Sequence, residues 1–387
     1  MPLTNSQQAF LELVKVGLWA DTESTDLKIQ GFTDFVDWEK VYQLAEEQSV
    51  IGLVLAGIEH ANVKPPQDLL LQWIGEVQIQ EQQNKAMNQF IAQLIEGLRK
   101  ADIYTLLLKG QGVAQCYEKP LWRASGDVDL FLNESNYNNA KAYLLPLASS
   151  TEPEADTTKH LGMTILKPIG ASDQGRADSW VVELHGTMRS RVLLRMDKVI
   201  DEVQKDVFYG GNVRSWMNGE TTVFLPSADN DVIFIFTHIL KHFFRGGIGL
   251  RQICDWCRLM WSYRDKIDIK LLEKRITRAG IMSEWKAFAT LAVNTLGMPS
   301  EAIPLYDSNK IWKKKANKIL TIVLKAGNFG HNERLSDDHH SYLAKKILSF
   351  RQHTRGGIRR FGIFPMDSIR VWLRMFVGGI TAVIKRV

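Results

Sequence analysis

The amino-acid sequence predicts an α+β fold: a helical N-terminal region over residues 1–100, a mixed β-sheet core with flanking helices over 101–225, and a helical C-terminal region over 226–387. Three observations carry that division. Apolar residues recur at helical spacing through the first hundred positions. From Ile103 to about Gly186 short apolar runs alternate with polar turns and short helical stretches, as a mixed sheet and its covering helices require. Beyond Leu193 helical spacing returns and persists.

Taken in order, Phe10, Leu11, Leu13, Val14 and Val16 to Leu18 form one apolar stripe, and Trp38, Val41, Leu44 and Ala45 form a second, with Thr33 or Asp34 as its cap. A third helix runs from Val50 or Ile51 to Ile58 and stops before Lys64-Pro65-Pro66. A long helix then spans about 68–100. Its middle, Ile79 to Gln89, is polar enough to face solvent or a cleft. In the core, Leu106 to Leu108 reads as a strand, Lys109 to Gly112 as a turn, and the apolar run to Leu132 as a second strand. Asn133 or Ser135 caps a helix reaching Leu147, and Ser149 to Thr158 is an acidic polar loop. Leu161 to Leu166 and Trp180 to Leu184 form a hairpin across a polar turn. A short hairpin around Asn212 to Leu225 precedes the C-terminal helices, the first starting at Pro226.

Composition limits what such a chain does. Hydrophobic residues at 45% and charged residues at 24% are ordinary globular values, and a net charge of +5 admits an anionic substrate without the concentrated basic face that duplex DNA requires. Cys116, Cys254 and Cys257 cannot build a disulfide framework, and the polar start lacks the pattern of a secretory signal, so the expected location is cytoplasmic. The most apolar stretch, Met375 to Ile384, falls short of the roughly 20 residues of a spanning helix. With the basic residues gathered between Lys313 and Arg374, it allows at most a weak membrane-surface contact.

The chemistry concentrates in two short strands. Asp127 and Asp129 are two residues apart, so they leave one face of their strand about 6–7 Å apart, while Val128 and Leu130 turn to the core. Two carboxylates so close raise each other's pKa unless a cation sits between them. Mg²⁺, held by one or two carboxylates together with substrate phosphates, is the natural one. Glu183 in the later strand is the third acid of the set.

Lys109-Gly110, Arg123, Asp127-Val128-Asp129 and Val182-Glu183-Leu184-His185 resemble the uncharacterised nucleotidyltransferases of the polymerase-β-like superfamily, most specifically between Lys109 and His185 and more loosely from Trp38 to Asp255. The resemblance implies a nucleotidyltransferase-type sheet and the transfer of a nucleoside monophosphate from a nucleoside triphosphate such as ATP to a hydroxyl acceptor, with release of pyrophosphate. It also implies two Mg²⁺ ions on Asp127, Asp129 and Glu183, with Glu183 helping to deprotonate the acceptor. The acceptor is left open among a protein, a sugar, a small metabolite and RNA. The alternative is a non-catalytic nucleotide-binding or scaffold protein of the same fold, supported by Gln111 standing where the superfamily commonly has Gly or Ser after the first glycine.

For the nucleotide, the candidates are Lys109, Gly110, Gln111, Gly112, Arg123, His185, Lys241 and His242. The glycines allow close backbone approach to phosphate. Lys109 is a phosphate ligand or a solvated strand end. Arg123 forks onto phosphate or neutralises the acids. His185 shares a face with Glu183 and touches phosphate or orients a carboxylate; His160, which precedes the Leu161 strand, is a surface histidine or one that reaches the site. His238 and His242, at i and i+4 on one helical face, have zinc spacing but no evident third ligand, and the resemblance puts their helix along the nucleotide cleft. Cys254 and Cys257 have the spacing of a redox pair but read as packing residues inside a helix.

Overall fold

In the N-terminal part, helices α1 (Asn5–Trp19), α2 (Trp38–Glu47) and α3 (Ile51–Ala61) pack together, and α4 (Gln67–Lys100) runs from them along the sheet. This computed structural model describes residues 2–19, 36–152, 159–166, 179–327 and 357–384, with the side chains of the last helix described to Val377. The expected caps Thr33 and Asp34 lie outside these residues. The cap in place is Asp37, whose carboxylate accepts from the Lys40 backbone N–H at 3.0 Å. Helices α1 and α3 approach so closely that a Cβ on Gly17 or Gly57 would sit 2.0 Å from the facing backbone oxygen of Leu53 or Leu13.

The sheet is mixed, as an α+β core requires. Strands β1 (Leu106–Leu108), β2 (Asp127–Phe131), β3 (Ala148–Thr151), β4 (His160–Leu166) and β5 (Ser179–His185) lie in the order β1-β2-β5-β4-β3. Between them stand α5 (Gly110–Ala114) after β1 and α6 (Glu134–Leu144) after β2. Strand β5 runs parallel to β2, with Asp129 opposite Glu183 and Phe131 opposite His185, and antiparallel to β4. Asn133 caps α6, its side chain accepting from the Asn136 backbone N–H.

One expectation is corrected here. Ala148–Thr151 is an edge strand, where a polar loop was read from Ser149; Ser149 to Thr151 are all exposed, so no apolar alternation marked the strand. Residues 153–158 of that loop, and 167–178 of the turn joining β4 to β5, lie outside the described residues.

Alternation along the strands splits the interior in two. Leu107, Val128, Leu130, Val182 and Leu184 face α4 and α6 and pack with Phe90, Ile91, Leu94 and Tyr137. On the opposite face Leu106, Leu108 and Phe131 join the larger core, which α1 to α3 share with the helices that follow the sheet. Those helices are α7 (Leu194–Tyr209), then, after the hairpin β6 (Val213–Asn218) and β7 (Thr221–Pro226), α8 (Ala228–Arg245), α9 (Leu250–Ser262), α10 (Ile269–Ala279), α11 (Met282–Asn294) and α12 (Lys310–Ala326). A final helix spans Pro365–Ile384 and exposes Ile369, Leu373, Phe376 and Val377. Among the described residues no helix is long and apolar enough to cross a membrane.

Asp127, Asp129 and Glu183 therefore leave the sheet on the side of α8 and α9. That places them between a strand floor and a helical roof.

Candidate active site

The loop that delivers the acids is held from below by the long helix. Asn84 of α4 is buried and donates to the backbone oxygens of Leu121 at 2.7 Å and Arg123 at 2.9 Å, and its Oδ1 accepts from Gln111 Nε2 at 2.7 Å. Gln80 donates to the Trp122 carbonyl, and Trp122 Nε1 donates to Glu81 at 3.0 Å. The polar middle of α4 thus faces this loop, where it satisfies backbone groups that would otherwise be buried without partners.

From above, Asp255 of α9 takes a forked pair from Arg123, Nε to Oδ1 at 3.0 Å and Nη2 to Oδ2 at 2.7 Å, and a third bond from the Tyr117 hydroxyl at 2.8 Å. Arg123 Nη1 completes the set on Ser125 Oγ at 2.7 Å and the Ala124 carbonyl. Arg251 Nη1 reaches the same Ala124 oxygen at 2.7 Å.

At the floor, each of Asp127, Asp129 and Glu183 offers a carboxylate oxygen, and the three oxygens lie within 4.8 Å of one another. Asp129 is buried, and its two oxygens are met by Lys109 Nζ at 3.1 Å and His185 Nε2 at 2.6 Å. Glu183 Oε2 meets His160 Nε2 at 3.0 Å and His185 Nε2 at 3.4 Å. Asp127 is the exposed member, at the open start of β2.

The electrostatics follow from this placement. Partial enclosure in the cleft and the neighbouring charge of Asp129 push the Asp127 carboxyl up. Asp129 is subject to the same burial, but Lys109 and His185 outweigh it and hold its carboxyl down. Glu183 is held far below its usual range, because bonds from His160 and His185 overcome burial. Burial opposes charge on Lys109 and on His185 as well, yet the acids win at both and raise them.

The roof has the opposite sign. Burial, then Lys109 and Arg245, bring Lys241 down to about 8, and burial, then Lys241 and Lys109, bring His242 to about 3. His238 is likewise pushed well below its usual value by burial and Lys109. His238 and His242 Nε2 atoms lie 2.9 Å apart, and the ligand clusters found among the described residues are on the strands rather than on this pair.

Floor and roof enclose a cleft of about 530 Å³, its open mouth included, lined by Lys109, Gly110, Asp127 and Asp129 below and by Ile235, His238, Arg251 and Gln252 above. Lys109 adopts φ +51°, ψ −139°, a conformation costing a non-glycine residue about 1–3 kcal/mol, and Gly110 follows at φ +43°. That turn carries the lysine onto Asp129. Gly112 is buried, and the space a Cβ would need is filled by Leu225 of β7, 2.5 Å away. The Gln111 side chain likewise points into the contact with Asn84.

A family of uncharacterised nucleotidyltransferases matches residues 34–297, more than half of the chain, from just before α2 through α11. The chain belongs to that family. No curated protein and no solved structure matches it. The matched span contains floor and roof of the cleft alike, α8 and α9 included. Cys254 and Cys257 of α9 are buried beside Trp256 in the core behind that roof, and burial raises both thiols.

Asn84, Gln80 and Asp255 escaped the sequence reading as parts of this site. The bond of Asp255 to Arg123 spans 132 positions, and no local spacing signals it. Asn84 could have been suspected because it falls on the apolar stripe of α4, seven positions after Val77 and three before Met87.

Proposed function

We propose that the chain is a Mg²⁺-dependent nucleotidyltransferase that moves a nucleoside monophosphate from a nucleoside triphosphate to a hydroxyl acceptor. The acceptor oxygen bonds the α-phosphorus, the bond from that phosphorus to the bridging oxygen breaks, and pyrophosphate leaves with the electron pair. The acceptor proton passes to a carboxylate of the trio. The observation that carries the proposal is the convergence of three carboxylates from two parallel strands beneath a basic helical roof.

An all-oxygen, hard donor set fits Mg²⁺. Asp127, Asp129 and Glu183 would hold two such ions, and the ions would supply neutralisation of charge on the reacting phosphate. The chain's own groups do the rest. Lys109 and Lys241 attract the polyphosphate from floor and roof, and Gly110 lets the backbone approach it. Arg123 acts through Asp255, fixing the loop that aims Asp127. Neutral His238 lines the roof, and neutral His242 stands one turn further along α8, so neither adds charge there.

The deciding experiment incubates the protein with labelled triphosphates, Mg²⁺ and candidate acceptors, and follows both transferred label and pyrophosphate. The double variant Asp127→Asn, Asp129→Asn should lose transfer while keeping its circular dichroism. Retained transfer would overturn the assignment. A second reading, nucleotide binding without turnover, draws on both oxygens of Asp129 being engaged by Lys109 and His185. Calorimetric binding of a triphosphate with Mg²⁺ but without pyrophosphate release would select it. Membrane-surface contact through the exposed apolar residues of the last helix stays a separate proposal, rejected if the protein does not float with anionic liposomes.

A further inference from the structure

A second ligand set stands beside the acidic trio. His160 opens β4 and His185 closes β5, and the two are direct partners across the antiparallel ladder. Directly opposed residues leave the sheet on the same face, and Glu183, two residues before His185, joins them there. His160 Nε2 lies 3.0 Å and His185 Nε2 3.4 Å from the same oxygen, Glu183 Oε2, and the three ligand atoms all fall within 4.8 Å of one another. The ring centroids are 4.8 Å apart.

These separations match those between ligands of one ion. Two donors each about 2.1 Å from a metal lie about 3.0 Å apart at an octahedral right angle and about 3.4 Å apart at a tetrahedral angle. The side chains are reachable from water, with His160 at 33%, Glu183 at 27% and His185 at 16% of full exposure.

We propose that His160, Glu183 and His185 form a binding site for a borderline divalent transition cation of the Zn²⁺ type, distinct from the all-oxygen site of Asp127 and Asp129. Two imidazole nitrogens with one carboxylate select such an ion over Mg²⁺, because Mg²⁺ keeps to hard oxygen donors. Three protein ligands leave a coordination position open. Asp129 Oδ1, 2.6 Å from His185 Nε2, borders this site without belonging to it. Glu183 belongs to both sets, so the two sites share a carboxylate. The inference rests on ligand geometry and stands whether or not the chain transfers nucleotides.

The test uses the full chain stripped with a chelator, without nucleotide or Mg²⁺. Zn²⁺ retained after desalting is measured by metal analysis, and Co²⁺ serves as a visible-absorbing substitute. The expected result is a single tight equivalent of Zn²⁺ and Co²⁺ bands typical of nitrogen ligation, with affinity at least tenfold weaker in His160→Ala and in His185→Ala and little changed in Asp127→Asn. His160→Gln, closer in shape, repeats the measurement should the alanine variant fold poorly by circular dichroism. Zn²⁺ bound as tightly by a folded His160 variant as by the parent would overturn the proposal. So would binding lost in Asp127→Asn but kept in the histidine variants, or displacement of Zn²⁺ by millimolar Mg²⁺. Failure of the transfer assay would leave these outcomes untouched.

Discussion

Two histidine pairs flank the same cleft and live under opposite fields. His160 and His185 rise from neighbouring strands among carboxylates, and His185 is pushed toward the charged form despite its burial. His238 and His242 stand one turn apart on α8, half-buried near Lys109 and Lys241, and both are pushed toward the neutral form. The difference teaches how the cleft is polarised. An acidic floor gathers cations, and a basic roof faces whatever anion those cations bring. Lys109 takes part in both, raised by the acids while it depresses the histidines overhead.

The contrast depends on the roof staying seated over the floor, and the largest expected effect comes from unseating it. Asp255 and Arg123 form a buried forked pair between α9 and the loop before β2. Removing one partner leaves the other charged and unpaired, which costs about 3–5 kcal/mol. Asp255→Ala should therefore lower the free energy of unfolding by that amount in denaturant titration, and Arg123→Lys, which keeps the charge but loses the fork, should lose less. A loss below about 1 kcal/mol would mean that floor and roof do not depend on this pair.

How much of this was legible beforehand depended on the range of the interaction. Asp127 and Asp129 on one strand face, and Glu183 on a second strand, followed from alternation, because strand geometry is local and periodic. The helices followed from apolar spacing, α4 almost residue for residue. The contacts that fix the site did not. Asn84 to the Leu121 carbonyl, Gln111 to Asn84 and Arg123 to Asp255 each join distant segments, and a polar residue inside a helix reads alike whether it meets water or a buried carbonyl. Strand β3 was illegible for a related reason. An exposed edge strand needs no apolar alternation, since one ladder of hydrogen bonds to β4 suffices.

A middle-sized effect sharpens the roof's side of the comparison. Charge-assisted bonds are worth about 1.5–3 kcal/mol, so Lys241→Met should weaken triphosphate binding about 10- to 150-fold, read as the dissociation constant by calorimetry. The pH profile follows from its lowered value of about 8. Lys241 carries its charge below that pH and loses it above, so affinity should fall from pH 7 toward pH 9, and the variant should show a flatter profile over this interval. A parent and a variant that weaken in parallel would remove Lys241 from the phosphate site.

The smallest effect, taken per pH unit, tests the roof without any ligand. His242 is held near 3 in the folded chain against an ordinary value of about 6.5 in the unfolded one. Between those values the unfolded chain binds a proton that the folded chain refuses, so His242 contributes stability that is complete above pH 6.5 and is lost as the pH falls toward 3. The expected slope is about 1.4 kcal/mol for each pH unit in that window. His242→Gln removes the titrating group while keeping a polar side chain on α8. Relative to the parent, the variant should therefore gain stability steadily from pH 6.5 down to pH 4 in urea titrations. The carboxylates and His185 titrate in both proteins and cancel from the difference. A difference that stays flat over this range would mean that His242 takes up its proton in the folded chain, and the cleft would then lack the polarity inferred from its two histidine pairs.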